Sequence, residues 1–336
     1  MDKKEMNAKV VYLSPYMKQV MKKLEENKKR PAVHTYSSTL KSFTNFAGSS
    51  IKEKEMLEAK DEAVDIPVSE VFTPGKLKEY ETWLRGRNAK WNTVSTYMRT
   101  LKAVYNRLVK EELAKYDAKL FDDVYTKVES QTKRALTEEQ MSTLLHTDFS
   151  KLSEEVKCAL AYFLLMFLFR GMPFIDLANL RKQDVNGNCI TYCRHKTGRK
   201  LMVRIPKEAM ALFEQYRNKG TDSGYLFPIL NDTVKEEKEV YARYQKALRN
   251  FNRILEKLAV LLLPGMNISS YTARHTWATL AFYSGIPIGI ISKALGHSST
   301  KVTETYLKPF ENEKVDEAND ELIMSVVKSN KNKRAA

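Results

Sequence analysis

Along nearly the whole chain apolar residues recur at three- and four-residue spacing, and only the stretch from Cys189 to Ile205 alternates. The first pattern places side chains on one face of a helix, the second on one face of a strand. Such a chain builds its core by packing helices on one another around one small hairpin. The spacing predicts a helix over Tyr16–Lys29, carrying Tyr16, Val20, Met21 and Leu24 and ended by Pro31. A second runs over His34–Phe46 with Tyr36, Leu40, Phe43 and Phe46 on one face, and Gly48-Ser49-Ser50 breaks it. Thr73 is a good N-cap for a third, with Pro74 at its first position, reaching Arg85. Asn92 caps a fourth, Thr93–Glu112. The charge-dense run Ile51–Asp65 has no assigned form.

Glu129–Arg134 is polar and without periodicity, so it reads as a linker. Beyond it Thr137 and Gln140 have the spacing of a capping box. Lys157–Phe169 is apolar all round; at about a dozen residues it is too short to span a bilayer and reads as a buried helix. Gly171 and Pro173 force a turn into a helix with Asp176, Leu177 and Leu180. An N-G-N turn then leads into strand C-I-T-Y-C-R-H, a K-T-G-R turn, and strand L-M-V-R-I-P. Helices follow over Lys207–Lys219, Glu239–Leu262 and Asp316–Val327. The expected fold is mainly α with a small antiparallel β-sheet. It divides into a helical domain over 1–130, a mixed α/β domain over 134–327 and a basic, disordered tail over 328–336.

Hydrophobic content of 43% supports a packed core. A formal net charge of +15 calls for a polyanionic partner, and nucleic acid is the usual one. Cys158, Cys189 and Cys193 are three in number, which implies no disulfide framework and fits a reducing cytoplasm. The N-terminus M-D-K-K-E-M-N-A-K has no apolar run after it and does not read as a signal peptide.

Most of the chemistry lies between Ser269 and Tyr306. The stretch reads S-S-Y-T-A-R-H-T-W, later L-G-H-S-S, and ends T-E-T-Y-L. Arg274 can grip phosphate oxygens with a permanently charged planar fork. His297 can give or take a proton near neutral pH. Tyr306, nine residues later, carries a hydroxyl that becomes a nucleophile when acid–base and electrostatic help is at hand. Together these are parts for attacking a phosphodiester without a metal.

A-R-H-T, then L-G-H-S-S, then a tyrosine nine residues on resembles the C-terminal signature of the tyrosine recombinases, also called the phage integrase family. The resemblance covers about Tyr16 to Tyr306 and is strongest from Arg170 onward. It implies two domains, a helical core-binding domain that closes over DNA and a catalytic domain. It also implies strand cleavage through a 3′-phosphotyrosyl link, whose conserved bond energy removes any need for ATP, metal or another cofactor. Tyr306 would be the nucleophile and Arg274 would hold non-bridging oxygens. His297 would hydrogen-bond the phosphate or take the tyrosine's proton. Lys196 stands in H-K-T-G-R, where the family keeps the lysine that protonates the leaving oxygen; Lys200 is its rival. The first arginine falls to Arg170, because R-G-M-P-F-I-D-L is similar to a family subgroup with R-G-M-x-F-x-D, whereas the common pattern would place arginine at Pro173. Asp176 matches the carboxylate that supports it, and His275 reads as structural. Tyr271 occupies the position of the family's first histidine; a phenol there donates a hydrogen bond but is a poor proton shuttle at neutral pH.

By the same resemblance the partner is double-stranded DNA, bound by a dimer at each site and by a tetramer in synapsis, in the cytoplasm at the nucleoid. The first core-binding helix begins near Tyr16, leaving no expected room for a separate N-terminal arm-binding domain. Two alternatives stay open: a DNA-binding protein of this fold without cleavage activity, and a type IB topoisomerase-like enzyme. Cys189, Cys193 and His195 share one face of a strand, but their spacing matches no common zinc motif and a fourth ligand is lacking, so no metal site is expected.

Overall fold

A computed structural model of the protein describes residues 10–27, 29–54, 65–128, 135–234, 236–307 and 312–332. The chain divides into two compact units, Met1–Ser130 and Gln131–Ala336. The expected linker, residues 129–134, lies outside the described residues, as does most of the charge-dense run after Lys54.

The first unit is helical: α1 (Leu13–Glu26), α2 (Arg30–Lys54), the single turn α3 (Val68–Val71), α4 (Pro74–Gly86) and α5 (Trp91–Lys110). Thr73 caps α4 as expected, its hydroxyl accepting from the Lys76 amide at 3.2 Å, with Pro74 in the first turn. The predicted break at Gly48 does not occur, and α2 runs on to Lys54. A buried aromatic face outweighs the weak helix propensity of Gly-Ser-Ser: Phe43 packs edge-on against Phe46 and against Tyr80 of α4, and Phe46 lies tilted on Tyr80. Pro31 does not end α1. It sits in the first turn of α2, where a missing N–H costs nothing. Met17, Leu77, Met98, Leu101 and Leu108 complete a fully buried core.

The second unit begins with the capping box at α6 (Glu138–Leu145). The Thr137 hydroxyl accepts from the Gln140 amide, and the Gln140 side chain accepts from the Thr137 amide. Its centre is α7 (Glu154–Leu168), on which α9 (Lys207–Tyr216), α10 (Glu237–Leu262) and α11 (Thr272–Tyr283) all pack. That explains why α7 is apolar on every side: Leu160, Phe163, Leu165 and Met166 are fully buried. After α8 (Phe174–Asn179) comes a three-stranded antiparallel sheet in the order β1 (Val185–Asn186), β2 (Cys189–Cys193), β3 (Lys200–Arg204). The hairpin was legible in the alternation, while β1 is a two-residue addition too short to leave a pattern. Ile190 pairs with Val203 and Tyr192 with Leu201, which turns Ile190, Tyr192 and Val203 into the core. The unit closes with α12 (Ile288–Leu295), α13 (Thr300–Glu304) and α14 (Asn312–Asn332). Of the tail expected to be disordered, residues 328–332 are the end of α14, and 333–336 lie outside the described residues. Among the described residues no helix is long and apolar enough to cross a membrane.

Candidate active site

The site is assembled by two glycine turns. α7 ends at Leu168, and Arg170 and Gly171 both take left-handed backbone, φ 60° and 66°. A Cβ on Gly171 would lie 3.1 Å from the Arg274 Cα and 3.3 Å from its Cγ. Only glycine therefore lets α11 approach this turn, and only that approach lets the Gly171 carbonyl accept from Arg274 Nη1 at 2.8 Å. The second turn is Gly296, φ 66°, at the C-terminus of α12. A Cβ there would meet Leu201 Cδ1 at 2.9 Å and Arg194 Cδ at 3.2 Å. The chain then delivers His297.

Arg274, on α11, is 2% exposed. Besides Gly171 it donates from Nη2 to the Leu295 carbonyl at 2.6 Å and to His297 Nε2 at 3.0 Å. Burial lowers its pKa, with Arg194 adding to the effect and the nearby Tyr306 opposing it; an arginine starts so high that it stays charged. Tyr306 is half-buried just after α13. Its ring lies 5.0 Å from that of His297, nearly parallel, 4.6 Å from that of His275, and 5.6 Å from the Arg274 Cζ. The Tyr306 carbonyl accepts from Thr279 Oγ1 at 3.3 Å, with His275 Nδ1 at 3.5 Å, which ties the tyrosine's backbone to α11. His275 thus serves as a backbone anchor and ring neighbour.

Lys196 is exposed at the tip of the β2–β3 turn, which Gly198 closes at φ 66° with its amide on the Arg194 carbonyl at 2.8 Å. Its charge reaches His297, since it is one of the groups that depress the imidazole. Lys200 opens β3, paired with Cys193, off that tip. Arg170 donates weakly to the Met202 carbonyl at 3.4 Å and, with Arg274 and Arg194, lies close enough to act on the buried Tyr192 phenol. Tyr271 stands at the start of α11, 51% exposed, 6.3 Å ring to ring from His275; desolvation and Tyr306 raise its pKa, and Arg274 opposes them. The six residues singled out in the sequence thus gather around the junction of α7, the hairpin, α11 and α12.

Two groups were missed. Arg194 is 5% exposed and donates from Nη1 to the Leu295 and Gly296 carbonyls at 2.8 and 2.9 Å. The two guanidiniums share the negative end of α12. The signal was present: alternation puts Ile190, Tyr192 and Arg194 inward, opposite to Cys189 and Cys193, and an arginine on a core-facing register needs a reason. Thr303, fully buried, accounts for the second histidine nitrogen, with Oγ1 2.9 Å from His297 Nδ1. Asp176, 3% exposed, accepts from the His195 amide at 2.8 Å and lies 4.0 Å from Arg194 Nε. Burial raises its pKa, opposed by that amide and by Arg194 and Arg274. Arginine charge outnumbers this single carboxylate in a dry setting, which is how a protein prepares for an anion. Among the described residues no three His, Cys, Asp or Glu side chains are arranged to hold a metal.

Burial, and then the charges of Arg274, Arg194 and Lys196, pull the His297 pKa from 6.5 down to about 3. Below pH 6.5 the unfolded chain protonates this histidine while the folded one does not. Its contribution is therefore complete above pH 6.5 and is lost as pH falls toward 3, with a slope of up to about 1.4 kcal/mol per pH unit. Urea unfolding between pH 7 and 4.5 should show this slope, and His297→Gln should flatten it. An unchanged slope in the variant would refute the assignment.

Comparison with known proteins agrees with the geometry. Residues 134–313 match the phage integrase family and residues 12–123 the phage integrase SAM-like domain. The tyrosine recombinase XerA of Pyrococcus furiosus is 25% identical over 186 residues, covering 54% of this chain and 59% of that protein. Transposase B of transposon Tn554 from Staphylococcus aureus is 22% identical over 315 residues, covering 89% of this chain and 46% of that one. The chain thus spans about half the length of these curated relatives. Among solved structures, a lambda integrase dimer bound to a COC′ core site superposes with a TM-score of 0.60 at 14% identity, covering 89% of this chain and 78% of that one. The Tn1549 transposon integrase in complex with a circular intermediate DNA gives 0.57 at 14%, covering 83% and 99%. With more than half its length matched by the catalytic family and most of the remainder by the accompanying SAM-like domain, the chain belongs to the phage integrase family.

Proposed function

We propose that the protein is a site-specific DNA recombinase that cuts and rejoins strands through Tyr306. The observation that carries this reading is the packing of the Tyr306 ring between His297, His275 and Arg274, next to buried positive charge in excess of carboxylate. A phosphodiester drawn into that field would be held by Arg274 and Arg170, and by a hydrogen bond from Tyr271. The Tyr306 oxygen attacks phosphorus and the bond to the 5′-oxygen breaks. Lys196, on a hairpin tip free to follow the departing oxygen, supplies its proton. His297 either takes the phenol proton or hydrogen-bonds the phosphate. The 3′-phosphotyrosyl link stores the bond energy, so a 5′-hydroxyl of another strand can reverse the step. A nicked suicide duplex, whose cut strand diffuses away, tests this: a protein–DNA adduct should survive denaturation. DNA binding with no adduct would favour a non-cleaving protein of the same fold, and relaxation of plasmid of any sequence a topoisomerase.

The DNA-bound dimers and Holliday-junction tetramer of lambda integrase support a reading in which this chain too acts as a dimer on each site and a tetramer in synapsis. In support, α14 exposes Val315, Leu322, Ile323, Met324 and Val327, an apolar set that a neighbouring protomer would cover. Removal of residues after Phe310 should reduce assembly on paired sites far more than it lowers the melting temperature. Unchanged synapsis by native gel would count against α14 as the connecting element.

A further inference from the structure

The hairpin that carries Lys196 is fastened through both residues of its last rung. Arg194 and Arg199 close that rung, the Arg194 amide donating to the Arg199 carbonyl at 2.8 Å, and the turn between them holds Lys196. Each sends its guanidinium to the same strip of backbone. Arg194 Nη1 donates to the Leu295 and Gly296 carbonyls at 2.8 and 2.9 Å, and Arg199 Nη1 donates to the His297 carbonyl. Successive carbonyls at the end of α12 are thus gripped by the two residues that flank the turn. Within the turn, the His195 amide donates to Asp176 Oδ1 and the Gly198 amide to the Arg194 carbonyl, both at 2.8 Å. Helix capping alone does not account for Arg194. The Leu295 carbonyl already accepts from Arg274 at 2.6 Å, and Arg194 is buried with no acceptor for its Nε, Asp176 Oδ2 being 4.0 Å away. A second buried cation beside Arg274, so loosely paired, costs stability that an apolar side chain would not.

We propose that Arg194 and Arg199 are positioning residues for Lys196: they dock its turn on the end of α12, so that the ammonium starts within reach of the departing 5′-oxygen. The inference rests on the recombinase reading. The stem of Lys196 is exposed and flexible, so the fixed rung beneath it is what limits where the ammonium can go. That limit lies at the site, because the Lys196 charge is one of those acting on His297. As the Tyr306 Oη–phosphorus bond forms, the phenol proton leaves to a neighbouring base. As the phosphorus–5′-oxygen bond breaks, the electron pair goes to that oxygen and a proton from Lys196 Nζ neutralises it. A docked turn makes this transfer intramolecular, whereas a turn that drifts leaves the oxygen without its acid. Neither arginine needs to touch the reacting atoms for this.

A duplex with sulfur in place of the bridging 5′-oxygen at the cut isolates this role. A thiol is far more acidic than an alcohol, so the thiolate leaves without a proton and a missing acid slows only the oxygen substrate. Arg194→Met should slow single-turnover adduct formation on the order of 10²-fold with oxygen, the scale of one lost general acid, and less than about threefold with sulfur. Arg199→Met alters an exposed side chain and should keep the fold. It should show the same selectivity with a loss on the order of tenfold, the worth of one charged hydrogen bond. In a Lys196→Met background, adding Arg194→Met should slow the oxygen reaction no further. Equal losses on the two substrates, no loss with oxygen, multiplied losses in the double variant, or a Lys196→Met protein that sulfur does not restore would each overturn the proposal. If Arg194→Met does not fold, Arg199→Met carries the same comparisons. A wild type that forms no adduct on either duplex defeats the recombinase reading instead. Hydrogen exchange then still decides the docking: the His195 and Gly198 amides should exchange on the order of tenfold faster in Arg199→Met, and unchanged protection overturns it.

Discussion

Phenylalanine at position 306 will bind DNA like the wild type and leave no covalent adduct on a nicked suicide duplex. The substitution removes one oxygen from a ring that stacks on His297 and His275 and packs beside Ala278, Ala281 and Leu295. The backbone of Tyr306 is held independently, its carbonyl by Thr279 and its amide by Thr303, so the turn keeps its shape. Only the hydroxyl and its electrostatic interaction with Arg274 are lost. Stability should therefore change by less than about 1 kcal/mol, the net worth of one hydrogen bond. Rate should fall by on the order of 10⁴-fold or more, because no other group can take over once a nucleophile is removed. Denaturing gels with end-labelled DNA read the adduct, and filter binding reads the affinity. An adduct that persists in Tyr306→Phe would mean that another residue attacks, with the half-exposed Tyr271 as the first suspect.

The second large effect is expected at Arg274. Lysine keeps the charge and loses the planar fork. Arg274 spans three elements at once: the turn after α7 through the Gly171 carbonyl, the end of α12 through Leu295, and His297. An ammonium on a flexible stem cannot satisfy all three directions, so at least one buried acceptor is left unpaired, at a cost of about 1–3 kcal/mol. On the proposed mechanism the bidentate hold on the phosphate is lost as well. Single-turnover cleavage by Arg274→Lys should drop on the order of 10²- to 10³-fold, the scale of losing one directed donor at a developing oxyanion. Thermal melting should show the structural part separately. A cleavage rate within about threefold of wild type, too small a change to count as lost transition-state stabilisation, would remove Arg274 from the reacting centre.

These expectations depend on features of unequal legibility. Local rules held where a partner sat three residues away, as in the Thr73 cap of α4 and the capping box of Thr137 and Gln140. They failed at Gly48, where aromatic packing against Tyr80 continues a helix that propensity would end. Arg170 stands out in the sequence by resemblance alone. Its left-handed turn, shared with Gly171, is what brings it to the Arg274 end of α11.

By itself the order of residue types specified a helical protein with one hairpin and singled out Arg274, His297 and Tyr306 as a candidate set, because helix periodicity, turn chemistry and motif spacing are local properties of a chain. Tertiary structure alone decided that Arg194 turns inward to share the end of α12 with Arg274, and that Thr303 holds the far nitrogen of His297. The Arg194 contacts join residues about a hundred positions apart, and the Thr303 contact exists only because Gly296 reverses the chain. Proton placement and buried charge depend on neighbours in space, and those neighbours exist only once the core has closed.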